Sequence, residues 1–321
     1  RQRPRRAAGP RLNAGGRRPV TASMRSPRAL AALALLTLIW GYSWVLAKQA
    51  LDYSAPFTLG LLRSLVSTFA LFGVLAATGR SLAPRALWKT GGIGLVQSGL
   101  FMVFQTWALV EGGAGRTSVL IFTMPIWTLL LGRLFLSERV RGAQWVAAAS
   151  ALTGLVIFIA PWNMESSLLS KLLGLGAALC WAIGTVLVKR WRAALAADLL
   201  SLTAWQMAAG TLLLVAVVVA VPEAPTRWTW TFAAILAFVA LVSTAFGWVL
   251  WLRVLRELPA WQASLSVLGV PVVANLSSRV ALGETVAPVE LAGMLLIGAG
   301  LAFMSFLNWR AQRRAEVVTA G

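Results

Sequence analysis

The chain has 321 residues, of which 59% are hydrophobic and only 12% are charged, whereas a soluble globular domain has about 45 to 50% apolar and about 25% charged residues. A soluble fold is therefore excluded and a membrane protein is predicted. The chain has no histidine and a single cysteine, Cys180, which excludes an internal disulfide, histidine-based catalysis and the common metal sites.

The net charge of +19 comes largely from a basic N-terminal segment. Seven arginines fall within residues 1–23, without an acidic residue or a hydrophobic period. Residues 1–28 are therefore predicted to be a disordered arm. Two interpretations stay open: translation that begins at Met24, and an arm attracted to anionic lipid. Neither involves nucleic acid, so no nucleic-acid partner is predicted.

Ten apolar runs of about 20 residues follow, each long enough to cross a hydrocarbon core about 30 Å thick as a helix. The first is too long to be a cleaved signal peptide. Glycine and proline mark the short connections between the runs. The predicted fold class is an all-α integral membrane protein with ten transmembrane helices, at residues 29–49, 55–78, 89–110, 114–136, 141–160, 169–189, 197–221, 228–252, 260–282 and 288–309.

Lysine and arginine are unevenly divided between the loops. Loops after even-numbered spans carry several, such as Arg80 and Arg85 after the second and Arg253 and Arg256 after the eighth, whereas loops after odd-numbered spans carry at most one. Because positive charge stays on the cytoplasmic side, both termini are predicted to be cytoplasmic. Residues 310–321 then form a cytoplasmic tail.

The chain contains two copies of one unit. Residues 38–48, LIWGYSWVLAK, recur as residues 179–189, LCWAIGTVLVK, at an offset of 141, and residues 125–138 match residues 271–284 at an offset of 146. Residues 29–160 and 169–309 are therefore predicted to be two repeats of five spans. Since five is odd, the second repeat enters the membrane from the opposite side. Such inverted repeats are typical of alternating-access transporters, with the substrate held between the copies near the midplane.

Several motifs resemble the EamA-like branch of the drug/metabolite transporter superfamily. They are W-x(4)-V-x(2)-K at the end of the first span of each repeat, Arg63 in span 2 opposite Gln206 in span 7, and P-x(7)-R-x(4)-E at the end of spans 4 and 9. The resemblance covers residues 29–309. It implies a transporter of the bacterial inner membrane, commonly an exporter of amino acids or other small metabolites.

Polar and aromatic residues at helical spacing on otherwise apolar spans are expected to face inward and line a cavity for an amphipathic solute. For the tryptophans, helix packing is the alternative, and for the threonines a bond to their own backbone. The predicted substrate-binding residues are Trp40, Tyr42, Ser43, Trp44, Arg63, Gln97, Gln105, Thr123, Trp181, Thr185, Thr244, Trp248 and Asn275.

Arg63 is the only charged residue placed well inside a predicted span, about 12 Å from its start. Its guanidinium is predicted either to meet a substrate carboxylate or to bind helix-end carbonyls or Glu111. Pro125 and Pro271 lie at matching positions within spans 4 and 9, where each removes a backbone hydrogen bond and is expected to bend its helix.

The predicted function is secondary transport by alternating access, in which small amphipathic metabolites, amino acids favoured, are exported or exchanged. A flippase of a lipid-linked substrate and a non-transporting membrane scaffold stay open. A flippase would be expected to have a basic cluster inside a span to receive a lipid phosphate, and none is evident. Neither a metal site nor an acid/base pair can be assembled within the spans, so no enzymatic activity, catalytic residue or cofactor is predicted.

The expected partners are a small-molecule substrate and the lipid bilayer, with a homodimer left open. All ten acidic residues fall at span ends, in loops or in the tail. Transport without obligatory proton movement is therefore expected.

Overall fold

The computed structural model describes residues 27–112, 114–138, 142–159, 168–195, 198–282, 288–289, 291–293, 295–300, 302–303, 306–307 and 310. These residues form helices joined by short turns, and none of them lies in a β-strand. Residues 1–26 of the predicted basic arm, most of the C-terminal tail and Glu284 lie outside the described residues. The last two residues of the predicted arm, 27 and 28, are helical and begin α1. The helices are α1 (Pro27–Ala50), α2 (Pro56–Ala77), α3 (Leu87–Ile93), α4 (Phe101–Gly112), α5 (Ala114–Ile121), α6 (Met124–Leu136), α7 (Gln144–Ile159), α8 (Leu168–Arg190), α9 (Leu199–Ala220), α10 (Trp230–Ala237), α11 (Gly247–Glu257), α12 (Ala260–Ser266), α13 (Gly269–Leu282) and α14 (Leu291–Gly300).

Seven helical segments within the described part of the chain are long and apolar enough to cross a membrane. They are Ala31–Ala50, Pro56–Ala77, Leu87–Val110, Leu168–Arg190, Leu199–Ala220, Trp230–Glu257 and Ala263–Ala281. Three shorter apolar helices, α6, α7 and α14, fall within three further predicted spans. An all-helical membrane protein is therefore confirmed.

Two of the long segments contain a stretch of π-helix. The first, Gly94–Leu100, joins α3 to α4, and the second, Phe238–Phe246, joins α10 to α11. A π-helical stretch inside an α-helix often marks a functional site, because the wider turn shifts the register of the side chains that follow. The sequence pattern did not predict either stretch.

The two proline-containing spans are interrupted rather than bent. α5 ends at Ile121 and α6 begins at Met124, with Pro125 in its first turn. α12 ends at Ser266 and α13 begins at Gly269, two residues before Pro271. Proline lacks the backbone N–H that would continue the helix, so the chain makes a turn of two residues at nearly the same place in both spans.

Glycine residues let α7 and α14 approach closely. A Cβ atom on Gly154 would lie 2.7 Å from the backbone N of Ile297, and one on Gly300 would lie 2.7 Å from the backbone N of Ala151. α7 and α14 therefore cross with their backbones in contact, which only a residue without a side chain permits at these two points.

Hydroxyl pairs join α2 to α9. Thr211 Oγ1 lies 2.7 Å from Ser64 Oγ and 3.1 Å from Thr68 Oγ1. Ser67 Oγ donates to the Ala240 carbonyl at 2.8 Å and so ties α2 to the second π-helical stretch. These polar contacts between apolar helices fix how far each helix is rotated about its axis.

At one end of the bundle, the loop before α10 is hydrogen-bonded to the start of α2. The Glu223 carboxylate accepts from the backbone N–H groups of Phe57 and Thr58, at 2.9 and 2.6 Å, and from Thr58 Oγ1 at 2.7 Å. It thereby satisfies backbone donors that the first turn of a helix leaves free. We call this contact the Glu223 clasp.

At the other end, Asp198 caps α9 through a bond from the Leu200 N–H at 3.1 Å and also pairs with Arg80 at 2.6 Å. The side chains of Arg80 and Asp198 are 51% and 32% exposed. We call this contact the Arg80 clasp.

Candidate functional site

A cavity lies in the middle of the bundle. The centre of a water molecule can occupy about 40 Å³ of it. A few water molecules fit at that size, so the cavity is constricted in this conformation. Thirteen residues line it: Trp40, Ser43, Trp44, Arg63, Phe101, Met102, Gln105, Ile121, Phe122, Met124, Trp181, Ser243 and Trp248.

Tryptophan rings form one wall of the cavity. The Trp181 ring lies 5.4 Å from Trp40, 5.1 Å from Trp248, 5.4 Å from Trp251 and 5.1 Å from Phe101, measured between ring centroids. The Trp40 and Trp181 rings meet edge to face at 86°, an arrangement that aromatic pairs favour. These two residues occupy the same position in the two repeats.

Arg63 is the only charged residue among the described residues that line the cavity. Its Nε donates to Thr244 Oγ1 at 2.5 Å, and Thr244 Oγ1 donates in turn to the Val239 carbonyl at 2.7 Å. The Val239 carbonyl lies in the second π-helical stretch, five residues before Thr244. That stretch therefore positions the hydroxyl group that orients the guanidinium.

Other polar atoms beside the cavity are buried without a hydrogen-bond partner in the described part of the chain. They are Gln105 Oε1, Ser243 Oγ and Trp181 Nε1. A buried polar atom without a partner costs about 1 to 3 kcal/mol. These groups can accept from or donate to a solute that enters the cavity.

Seven of the thirteen predicted binding residues line this cavity. They are Trp40, Ser43, Trp44, Arg63, Gln105, Trp181 and Trp248. An eighth, Thr244, contacts the cavity only through Arg63. The alternative interpretation of Arg63 as a partner of Glu111 involves a side chain that lies outside the described residues.

The structure does not bring the other five predicted residues to the cavity. Gln97 and Thr185 are fully buried, and Gln97 Nε2 donates to Thr185 Oγ1 at 3.2 Å. Tyr42 is 43% exposed. Thr123 Oγ1 and Asn275 Nδ2 donate to carbonyls of their own spans, at 2.8 and 3.1 Å. A role for these five in binding stays a prediction.

Six lining residues were not among those predicted: Phe101, Met102, Ile121, Phe122, Met124 and Ser243. Five are apolar, and in a membrane span an apolar side chain facing a cavity looks the same in sequence as one facing lipid. A usable signal exists only near Pro125, because residues beside an interrupted helix often line a site.

A narrower space adjoins the cavity. It shares Arg63 and Gln105 with the cavity and extends along Ala47 and Leu109. Ala47 and Leu109 lie near the C-terminal ends of α1 and α4, where Lys48 Nζ donates to the Leu109 carbonyl at 3.4 Å. Arg63 therefore stands between the centre of the bundle and one of its ends.

A cavity lined by aromatic residues and one ionisable side chain, inside a bundle of apolar helices, is a candidate binding site for a small molecule in a membrane protein. The sequence profile of the EamA-like transporter family matches residues 27–160 and 168–306. The chain belongs to this family. Membership implies a multi-pass membrane protein with a small-molecule substrate, and it confirms the resemblance found from the sequence motifs.

Named relatives are transporters. The chain is 30% identical over 279 residues to the uncharacterized transporter YoaV of Bacillus subtilis, covering 84% of this chain and 94% of that one. It is 30% identical over 293 residues to a probable amino-acid metabolite efflux pump of Salmonella typhimurium, covering 88% and 96%. It is 29% identical over 309 residues to a probable terminal-alkyne amino-acid exporter of Streptantibioticus cattleyicolor, covering 93% and 99%.

A protein of known crystal structure has the same fold. The match has a TM-score of 0.70 at 18% sequence identity and covers 88% of this chain and 98% of the other. At that identity the likeness concerns the fold alone.

Proposed function

We propose that this protein is a secondary transporter that works by alternating access and exports or exchanges small amphipathic metabolites, with amino acids favoured. The observation that carries the proposal is the contact between Trp40 and Trp181, which are equivalent residues of the two repeats and meet at the wall of a central cavity. A site shared by both repeats is where a substrate would sit if the repeats exchange their conformations.

The crossing of α7 and α14 supports inverted repeats. Gly154 and Gly300 are equivalent at the offset of 146, as are Ala151 and Ile297. Gly154 meets Ile297 while Gly300 meets Ala151, so the contact is the same when the two helices exchange roles, as in an interface made by a twofold axis. From Ala151 to Gly154 the chain rises along α7 while its partner falls from Gly300 to Ile297. The helices are therefore antiparallel, as repeats of opposite orientation require.

The matching irregularities of the two repeats support a ten-helix topology. The turn before Pro125 has its counterpart before Pro271, and each repeat has one π-helical stretch in its third span. α6, α7 and α14 are then short spans that complete the two sets of five. The family match in two segments, residues 27–160 and 168–306, divides the chain in the same way.

The chemistry of the cavity supports a substrate with a carboxylate and an apolar part. Within the described part of the chain the Arg63 guanidinium has one hydrogen bond, to Thr244, which leaves four of its five N–H groups for a ligand. A carboxylate is the natural partner, since both its oxygens can be bound at once. The tryptophan wall suits an apolar side chain, and Gln105 Oε1 can accept from an ammonium group.

Two relatives carry names that fit this chemistry, since both refer to amino acids or their metabolites. The cavity must widen to admit such a solute, because a few water molecules fill it in this conformation. The two clasps lie at opposite ends of the bundle, and opening one while the other stays closed would give access from one side at a time.

Counterflow in proteoliposomes tests the proposal. Vesicles loaded with one unlabelled amino acid at a time are exposed to a trace of the labelled compound, and the panel spans aromatic, aliphatic, acidic and basic side chains. We expect transient accumulation for a subset with apolar side chains. Trp181→Phe keeps an aromatic ring in the wall and serves as the matched control for Trp181→Ala. No accumulation for any amino acid, with folded protein in the vesicles, would refute the substrate class.

A further inference from the structure

A second space lies at the ends of α8 and α11 and the start of α9, apart from the central cavity. The centre of a water molecule can occupy about 90 Å³ of it, more than twice the value for the central cavity. Three cations line it, Lys189, Arg192 and Arg256, together with six aliphatic side chains. We call this space the basic pocket.

The basic pocket lies where two helices of the bundle end. Lys189 is the penultimate residue of α8, and Arg256 is the penultimate residue of α11. Leu202 and Leu255, which also line the pocket, are 5% and 1% exposed, whereas Arg192 and Arg256 are exposed. The pocket therefore has an apolar interior and a positively charged opening.

The described acidic residues closest to the basic pocket lie beside it and not in its lining. No acidic residue is among the described residues that line it. Glu138 acts electrostatically on Lys189, but its Oε1 accepts from the Ala260 N–H at 3.1 Å. Glu257 lies 3.9 Å from Arg253, which does not line the pocket. Within the described part of the chain, the lining itself therefore carries three cations and no acid.

The equivalent place in the first repeat lacks this charge. Lys48 corresponds to Lys189, but Leu51 corresponds to Arg192 at the offset of 141, and Val110 corresponds to Arg256 at the offset of 146. Lys48 itself donates to the Leu109 carbonyl. The three cations are therefore not inherited from the repeated unit. They are special to the end of the bundle that the distribution of lysine and arginine assigns to the cytoplasm.

We propose that the basic pocket binds the phosphate group of an anionic phospholipid from the cytoplasmic leaflet, with the first part of an acyl chain against its leucines. Guanidinium groups bind phosphate oxygens two at a time, and a basic pocket between helices on the cytoplasmic side is suited to anionic headgroups. An excess of cytoplasmic cations is general among membrane proteins. The convergence of three such cations on one apolar pocket is not a general feature of membrane proteins.

The test compares two double variants that remove equal charge from the same end of the bundle. Arg192→Gln with Arg256→Gln alters the pocket. Arg190→Gln with Arg253→Gln alters neighbouring cations outside it: Arg190 donates to the Phe135 carbonyl at 3.0 Å, and Arg253 faces Glu257. The purified full chain in detergent is titrated with phosphatidylglycerol at constant phosphatidylcholine. The thermal midpoint and, by native mass spectrometry, the bound lipid are measured.

We expect phosphatidylglycerol to raise the thermal midpoint of the wild-type chain and of the double variant at Arg190 and Arg253. The double variant at Arg192 and Arg256 should bind this lipid about 30-fold more weakly than the wild-type chain. The factor follows from about fivefold for each cation near an anionic headgroup. Equal weakening in both pairs would overturn the proposal in favour of general surface attraction. So would an equal rise with inorganic phosphate alone, which would indicate a site for a soluble anion.

Leu202→Trp provides a second variant that keeps every charge and fills the pocket. We expect it to lose bound phosphatidylglycerol while it elutes as a folded species on gel filtration. Retention of the lipid would refute the pocket as its binding place. These measurements require no transport, so their outcome is independent of the proposed function.

Discussion

Arg63→Gln is the sharpest test of the central cavity, because it gives span 2 the residue that span 7 has at the equivalent position, Gln206. The variant removes the only charge among the described lining residues and leaves a side chain that still reaches Thr244. A hydrogen bond to a charged group contributes about 1.5 to 3 kcal/mol. We therefore expect the apparent affinity for a carboxylate substrate to fall about 10- to 150-fold.

The assay is counterflow with matched pairs of solutes, each an amino acid and its carboxamide. Arg63→Gln should raise the KM for the acid by the factor above and change the KM for the carboxamide about threefold at most. Arg63→Lys keeps the charge but not the Nε bond to Thr244, so its KM for the acid should be intermediate. Thr244→Val keeps the guanidinium and removes its partner, and should have a smaller effect.

A structural role for Arg63 predicts a different pattern. Arg63→Gln would then lower the thermal midpoint and reduce the transport of acid and carboxamide alike. Wild-type KM values for the acid in Arg63→Gln would refute the assignment of the carboxylate to this residue.

Four further outcomes are expected. Trp248→Ala should lower transport several-fold at normal expression, because a buried aromatic contact contributes about 1 kcal/mol beyond its area; unchanged kinetics would mean that the ring only packs. Gly154→Leu and Gly300→Leu should lower the thermal midpoint by similar amounts, since each Cβ would lie 2.7 Å from backbone, and a large difference between them would count against the twofold crossing. Reporters at Arg85 and Ser166 should report cytoplasm and exterior, respectively, because three predicted spans separate them. If both reported the same side, the repeat could not contain five spans. Collapse of the pH gradient across proteoliposomes should leave flux largely unchanged, whereas a fall to background would show protonic coupling.

The helical spans could be predicted because an apolar run of about 20 residues can satisfy all of its backbone groups in lipid only as a helix. The repeat strengthened the prediction of binding residues, since Trp40 and Trp181 recur at matching positions, which can be seen in the sequence alone. What the pattern lacks is the rotation of each helix. Tyr42 and Ser43 are neighbours in the chain and equally polar, yet Ser43 lines the cavity and Tyr42 is 43% exposed.

Interruptions of the helices were also beyond the sequence pattern. Pro125 and Pro271 indicated a disturbance of the helix, but a bend and a two-residue turn are both compatible with the hydrogen bond that proline cannot donate. The π-helical stretches have no proline and no distinct composition. Their effect is large all the same, because Thr244 lies within one of them and holds Arg63. Convergence of Lys189, Arg192 and Arg256 on one pocket likewise depends on tertiary packing.

The two clasps differ in strength, and this difference bears on the resting conformation of a transporter that works by the proposed mechanism. If the two repeats were identical, the inward-facing and outward-facing forms of the proposed mechanism would have the same free energy, and half of the molecules would occupy each form. The Glu223 clasp makes three hydrogen bonds to the start of α2, whereas the Arg80 clasp rests on one exposed ion pair, a kind of contact that contributes at most about 1 kcal/mol. In the proposed mechanism an empty protein would spend most of its time with the end held by the Arg80 clasp open, and in the proposed topology that end faces the cytoplasm. Export as proposed would depend on this preference, because the empty cavity would then meet the solute inside the cell before any gradient acts.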